Sequence, residues 1–189
     1  EDEFYKAGLA AGGLDLGSAR PIIEQISKHE TAHVTVLTTL LGENALPAPT
    51  FDFTGGGTFG NVFSSATTFL TLAQAFEDTG VRAYKGQAAA LAAQAELLTT
   101  ALRIHAVEAR HAAMLRRLPQ TPATKAWVTG NSNTVAEIQP VYDGEEVTTQ
   151  LRVDLLPFGS ADAVSEAFDE PLAREAVDAI IAPFIAAAA

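Results

Sequence analysis

With 189 residues, 48% of them hydrophobic and 19% charged, the chain is long enough for one well-filled core, and its many alanines favour closely packed helices. A net charge of −11 argues against a sequence-independent grip on nucleic acid, which needs clustered Lys and Arg to displace counterions from phosphate. Cysteine is absent, so any metal must be held by oxygen and imidazole ligands, and no apolar run is long enough to span a bilayer.

Residues 1–10 read as the C-terminal part of a helix, closed by Gly12, Gly13 and Gly17. The only methionine is Met114, so residue 1 is not a translation start, and the chain is expected to be processed or to lack its beginning. Ser18 is the expected N-cap, and Pro21 a first-turn residue, of a second helix reaching about Leu41, where Gly42 and Asn44 close it. Its inward stripe is Ile26, Glu30, His33, Leu37 and Leu40, in alternating steps of four and three. Residues 43–62 hold Pro47, Pro49 and the run Gly55-Gly56-Gly57, which suits a long crossover loop in a bundle.

A third helix is expected from about Ser64 to Tyr84, with Ala66, Leu70, Ala73, Glu77, Gly80 and Tyr84 on its stripe. A fourth follows Gly86 and runs to about Leu118, stopped by Pro119, with Leu97, Ala101, Ile104, Glu108, His111 and Leu115 aligned. From Gln120 onward turn chemistry dominates, as in Gly130-Asn-Ser-Asn and Tyr142-Asp-Gly, and Val147 to Leu156 is a mixed stretch compatible with extended structure within a loop-rich cover. One short helix is expected from Glu170 to Ile181, capped by Asp169 with Pro171 in its first turn. The chain thus divides into an antiparallel four-helix bundle over 1–118, its first helix cut short, and a loop-rich extension over 119–189 that packs on it.

The chemistry lies in where the polar residues fall. Glu30, His33, Glu77, Glu108 and His111 all occupy inward stripes, and a buried ionised carboxylate is costly unless paired or bound to a cation. A single Glu-x-x-His arises readily by chance. Two of them, Glu30-Thr-Ala-His33 and Glu108-Ala-Arg-His111, on separate helices and in register with a third carboxylate, do not. Bundles of the di-iron and di-manganese class project one such pair from each of two helices and a lone Glu from each of the other two; Glu77 supplies one lone carboxylate. Two turns on, Tyr84 could orient a metal-bound carboxylate, or be a core tyrosine with a satisfied hydroxyl. His29 and His105 read as surface or supporting residues, Arg82, Lys85 and Arg110 as solvated or ion-paired on the bundle surface, and Trp127 as a packing anchor.

These residues resemble a known family: ferritin-like proteins that include the plant desiccation-related proteins and bacterial relatives, more distantly similar to bacterioferritin and rubrerythrin. The resemblance is carried by Phe76-Glu-Asp-Thr-Gly-Val-Arg-Ala-Tyr-Lys-Gly86, Val107-Glu-Ala-Arg-His-Ala112 and Phe168-Asp-Glu-Pro-Leu172, together with Glu3-Phe-Tyr5 and His29-Glu-Thr-Ala-His33. It implies an all-α ferritin-like fold with Glu30, His33, Glu77, Glu108 and His111 as ligands to two Fe or Mn ions. In the family a Glu precedes the first-helix Tyr by seven residues; counted back from Tyr5 it falls before residue 1, and Glu1 on the same stripe could substitute. The implied activity is oxidation of Fe(II) by oxygen or peroxide, or peroxide disproportionation, in stress or desiccation protection. A second reading is a non-catalytic structural module of an extracellular assembly. Export is the location that the resemblance favours, and a homo-oligomer is compatible with it.

Overall fold

The computed structural model describes residues 1–118, 125–133 and 135–186. Four helices form the bundle: α1 (Asp2–Ala10), α2 (Arg20–Leu41), α3 (Ala66–Gln87) and α4 (Ala95–Arg116). α3 and α4 form one closely paired hairpin, α1 and α2 the other, and α1 also touches α3 while α2 touches α4. The fold class is the all-α four-helix bundle expected from the stripes. Its core gathers Phe4, Tyr5, Leu16, Ile23, Phe69, Leu70, Leu72 and Leu115, all essentially inaccessible to solvent. Phe4 is the centre of an aromatic cluster, stacked on Phe69 at 4.7 Å and edge-on to Phe76 at 5.0 Å.

Several helix boundaries differ from expectation. α2 is entered through a 3-10 turn (Gly17–Ala19), so Ala19 and not Ser18 is the N-cap, and Asp15 instead accepts from the Gly17 N–H. α3 begins behind Ser65, whose hydroxyl accepts from the Thr68 N–H. α4 starts at Ala95 and not after Gly86, because residues 88–94 are spent on turns that reverse the chain between two antiparallel helices. It ends at Arg116; Pro119, its expected stop, lies outside the described residues.

The stripe of α2 is only half buried. The Thr31 hydroxyl donates to Asp2 at 2.7 Å, which sets the N-terminal end of α1 against the middle of α2. Ile23, Ile26 and Glu30 are therefore covered, whereas Leu37 is only partly so and Leu40 is 43% exposed, alongside exposed Val34, Val36 and Leu41.

The extension is tied to α3. A 3-10 turn (Ala136–Val141) leads to Tyr142, whose hydroxyl donates to Asp78 at 2.8 Å, and Asp78 is also paired with Arg116 of α4. Within the mixed stretch 147–156 a short hairpin pairs β1 (Thr149–Gln150) with β2 (Val153–Asp154), turning through Leu151 and Arg152 at positive φ. Two short helices follow, α5 (Ala161–Ser165) and α6 (Arg174–Ile181). The last helix begins four residues later than expected, with Ala173 and not Asp169 as its cap. The stretch before it instead docks on α3: the Leu172 N–H donates to the Arg82 carbonyl at 3.1 Å, and Arg82 Nε donates to the Glu170 carbonyl at 2.8 Å. Arg82 is not a surface residue. It is buried, pairs with Glu145 at 2.8 Å and also donates to the carbonyls of Val141 and Asp143. Lys85, partly exposed, pairs with Asp169. Trp127 is 55% exposed and anchors no core.

This docking needs a glycine. A Cβ on Gly86 would lie 1.9 Å from the Leu172 carbonyl oxygen and 2.8 Å from its carbon, both backbone atoms. Alanine normally favours a helix over glycine by up to about 1 kcal/mol. Here Gly86→Ala is expected to destabilise instead, by about 1–3 kcal/mol as the 168–173 segment is pushed off α3. Thermal unfolding followed by circular dichroism checks the sign.

Candidate metal centre

The inward positions of α2, α3 and α4 bring ligating atoms of Glu30, Glu77, Glu108 and His111 within 4.8 Å of one another, all four residues buried. The i, i+3 spacing does this: Glu30 and Glu108 point into the core from facing helices, and each is followed one turn later by its histidine. His111 Nδ1 lies 3.1 Å from Glu30 Oε1, 3.1 Å from Glu77 Oε2 and 3.2 Å from Glu108 Oε2. His33 Nδ1 lies 3.1 Å from Glu30 Oε2 and 3.2 Å from Glu108 Oε1. Glu30 and Glu108 therefore each span the two histidines, one oxygen apiece, while Glu77 belongs to the His111 side.

One Nδ1–H cannot serve three carboxylates. Glu30 Oε1 and both oxygens of Glu108 are buried without a hydrogen bond of acceptable geometry, despite their short distances to imidazole nitrogen. Orphaned buried oxygens are costly, and a cation between carboxylate and imidazole atoms would satisfy them. The donor set, oxygen and imidazole without sulfur, fits iron or manganese.

The remaining residues are placed as follows. A Cβ built on Gly80 would meet Glu1 Oε1 at 2.7 Å and Glu108 Cγ at 3.5 Å, so the missing side chain makes room for the Glu1 carboxyl beside Glu108. Tyr84 borders the same cavity as Glu1, yet no hydrogen bond joins it to a carboxylate among the described residues. Tyr5 is the tyrosine that holds one: its hydroxyl donates to Glu77 Oε1 at 2.5 Å. Sequence reasoning passed over that role, although Tyr5 stands on the first helix as Tyr84 does on the third. His29 stacks on His111 with ring centroids 5.2 Å apart, its Nδ1 2.9 Å from His111 Nε2, which turns the other face of His111 toward the carboxylates. His105 instead meets the Val81 carbonyl at 2.9 Å and ties α4 to α3.

The electrostatics follow from this crowding. Burial alone would lower the His111 pKa, but the close carboxylates of Glu108, Glu30 and Glu77 push it up to about 11; His33, partly buried beside Glu108 and Glu30, rises to about 10. Burial would raise Glu108, yet His111 and His33 hold it down at about 2. Glu1 is pushed up to about 8, chiefly by burial and further by the charges of Glu108 and Glu30. Burial drives Glu77 well above the usual carboxylate range despite His111.

A four-helix bundle with a buried, two-sided carboxylate and imidazole centre defines the ferritin-like class of protein. The family model for the ferritin-like domain matches residues 1–121, and the chain belongs to that family. No curated protein and no solved structure matches it. No helix among the described residues is long and apolar enough to cross a membrane.

Proposed function

We propose that the centre holds two Fe or Mn ions and that the protein oxidises Fe(II) or removes peroxide, in stress or desiccation protection outside the cytoplasm. The observation that carries the two-ion reading is the paired reach of Glu30 and Glu108, each with one oxygen beside His33 and the other beside His111. In this reading His33 and Glu1 would hold one ion and His111 and Glu77 the other, with Glu30 and Glu108 offering one oxygen to each side.

Bound iron or manganese would supply electron exchange with Fe(II), oxygen or peroxide. The chain's own part is to fix the ligands. Tyr5 pins one oxygen of Glu77 and leaves the other facing His111. His29 fixes the His111 ring so that Nδ1 points inward. The aromatic cluster around Phe4 and Phe69 keeps water from that end, and entry is through the groove between α2 and α4, where His33 and His111 lie beside Gln25, Val107 and Met114.

Metal analysis of the purified protein, with oxygen and peroxide consumption measured on the same sample, tests the proposal. Stoichiometric Fe or Mn with turnover supports it. Lack of stoichiometric metal removes it, and tight metal without turnover leaves only a structural centre.

A further inference from the structure

Between α2 and α4 runs a groove of about 600 Å³. Ile22 and Ile26 wall it on the α2 side and Val107 and Met114 on the α4 side, with Ile26 and His111, both buried, at its floor. Its charge is unlike that of the rest of the chain. Acidic residues outnumber basic ones 23 to 12, yet no Asp or Glu lines the groove, and its rim carries Arg110. Val107, Arg110, His111 and Met114 follow steps of three and four, so the Arg110 stem lies along the wall and its exposed guanidinium at the mouth. Among the described residues that guanidinium makes no ion pair and no hydrogen bond. Gln25 and His29 are by contrast already engaged: Gln25 Nε2 and His29 Nε2 lie 2.8 Å apart, and His29 Nδ1 lies 2.9 Å from His111 Nε2.

We propose that the groove binds a monocarboxylic acid with an apolar body, its carboxylate on Arg110 and its body between Ile22, Ile26, Val107 and Met114. The volume suits it: ligand clefts measure about 300–1,000 Å³ and are walled mostly by apolar side chains with a few polar groups. Charge sets the polar end. A cation would meet Arg110, and a neutral molecule would leave the guanidinium unmatched. A planar guanidinium holds a carboxylate through two parallel N–H···O bonds, and its single charge balances a single anionic group. A second anionic group on the ligand would stay uncompensated in a chain of net charge −11. The walls set the rest, since a small inorganic anion leaves Ile22, Val107 and Met114 facing water, whereas an alkyl or aryl body covers them. The metal reading uses this groove as a way in and gives Arg110 no part; binding of the acid stands with or without metal.

The probe is octanoate, with octanol as its uncharged counterpart, each titrated into metal-free protein by calorimetry. Saturable one-to-one binding of octanoate is expected. Ile22→Trp and, independently, Met114→Trp fill the groove from partly open positions and should weaken both probes by about tenfold or more, with helical circular dichroism retained. Arg110→Gln should weaken octanoate by about fivefold and leave octanol unchanged, as loss of one exposed ion pair requires. Arg103→Gln removes the same charge from α4 outside the groove and should change neither. Absence of saturation, or unchanged affinity in both filling variants, overturns the proposal. An equal loss of octanoate in Arg103→Gln and Arg110→Gln, or an equal loss of the two probes in Arg110→Gln, overturns the placement of the carboxylate. Cobalt uptake by the same preparation separates the two readings: cobalt bound without octanoate removes the groove proposal alone, and octanoate bound without cobalt removes the metal reading alone.

Discussion

Glu108→Gln is expected to abolish uptake of both metal ions, whereas Glu77→Gln should lose one and keep the other. The difference comes from reach. Glu108 stands 3.2 Å from His33 Nδ1 through one oxygen and 3.2 Å from His111 Nδ1 through the other, so an amide in its place removes an anionic ligand from both halves of the centre at once. Glu77 faces His111 alone, its second oxygen being taken by Tyr5. Losing a direct ligand should exceed the tenfold to hundredfold that loss of a supporting hydrogen bond typically removes from metal affinity, so about a hundredfold or more is expected for each ion touched. Gln keeps the shape of Glu, and the helices should survive. Cobalt titration read by visible absorption, with bound metal counted after gel filtration, gives the stoichiometry. Equal stoichiometry in the two variants would show that the carboxylates do not divide as their distances say.

The clustering of Glu30, Glu77, Glu108 and His111 was legible in the sequence because it follows the helical period. Steps of four and three carry Glu30, Glu77 and Glu108 into the core on the same stripes as Ile26, Ala73 and Ile104, and nothing outside each helix is needed to see it. What the period could not supply is which neighbour covers each turn. Leu40 has the same spacing as Ile26 and is nonetheless 43% exposed, since α1 runs beside only the first half of α2.

The segment around Pro171 shows the same limit from another side. Asp169 and Pro171 make a sound local helix start, but the backbone there is claimed by Arg82 and passes over Gly86, so tertiary contacts override the cap. Arg82 itself was placed on the surface for want of any local sign that carbonyls of residues 141, 143 and 170 would converge on its guanidinium. Tyr5 needed no such long-range knowledge. It mirrors Tyr84, and that symmetry was a signal available in the sequence for the bond it makes to Glu77.

In the metal-free protein His111→Ala is expected to be the most damaging single substitution at the centre, lowering stability by about 3–5 kcal/mol near neutral pH. The imidazolium is the common neighbour of Glu30, Glu77 and Glu108, and its removal leaves buried carboxylates with His33 as their remaining countercharge. The sign of the pH dependence follows from the folded and unfolded values. His111 rises from 6.5 to about 11, so its contribution is complete below 6.5 and disappears only as pH climbs through about 11. Without it the carboxylates are best accommodated as neutral acids, which the ordinary value of 4.5 permits only on the acid side. The deficit against wild type should therefore be smaller near about pH 5 and reach its full size near about pH 7, where roughly 10 °C in melting temperature is expected for a chain of this size. The same protons oppose metal. Ions must displace them from His33 and His111, so wild-type affinity should rise steeply from about pH 6 to about pH 9, and calorimetry in buffers of different ionisation enthalpy should register proton release on loading. A flat pH profile for both stability and affinity would mean that the two histidines are neutral in the metal-free protein and that loading releases no protons.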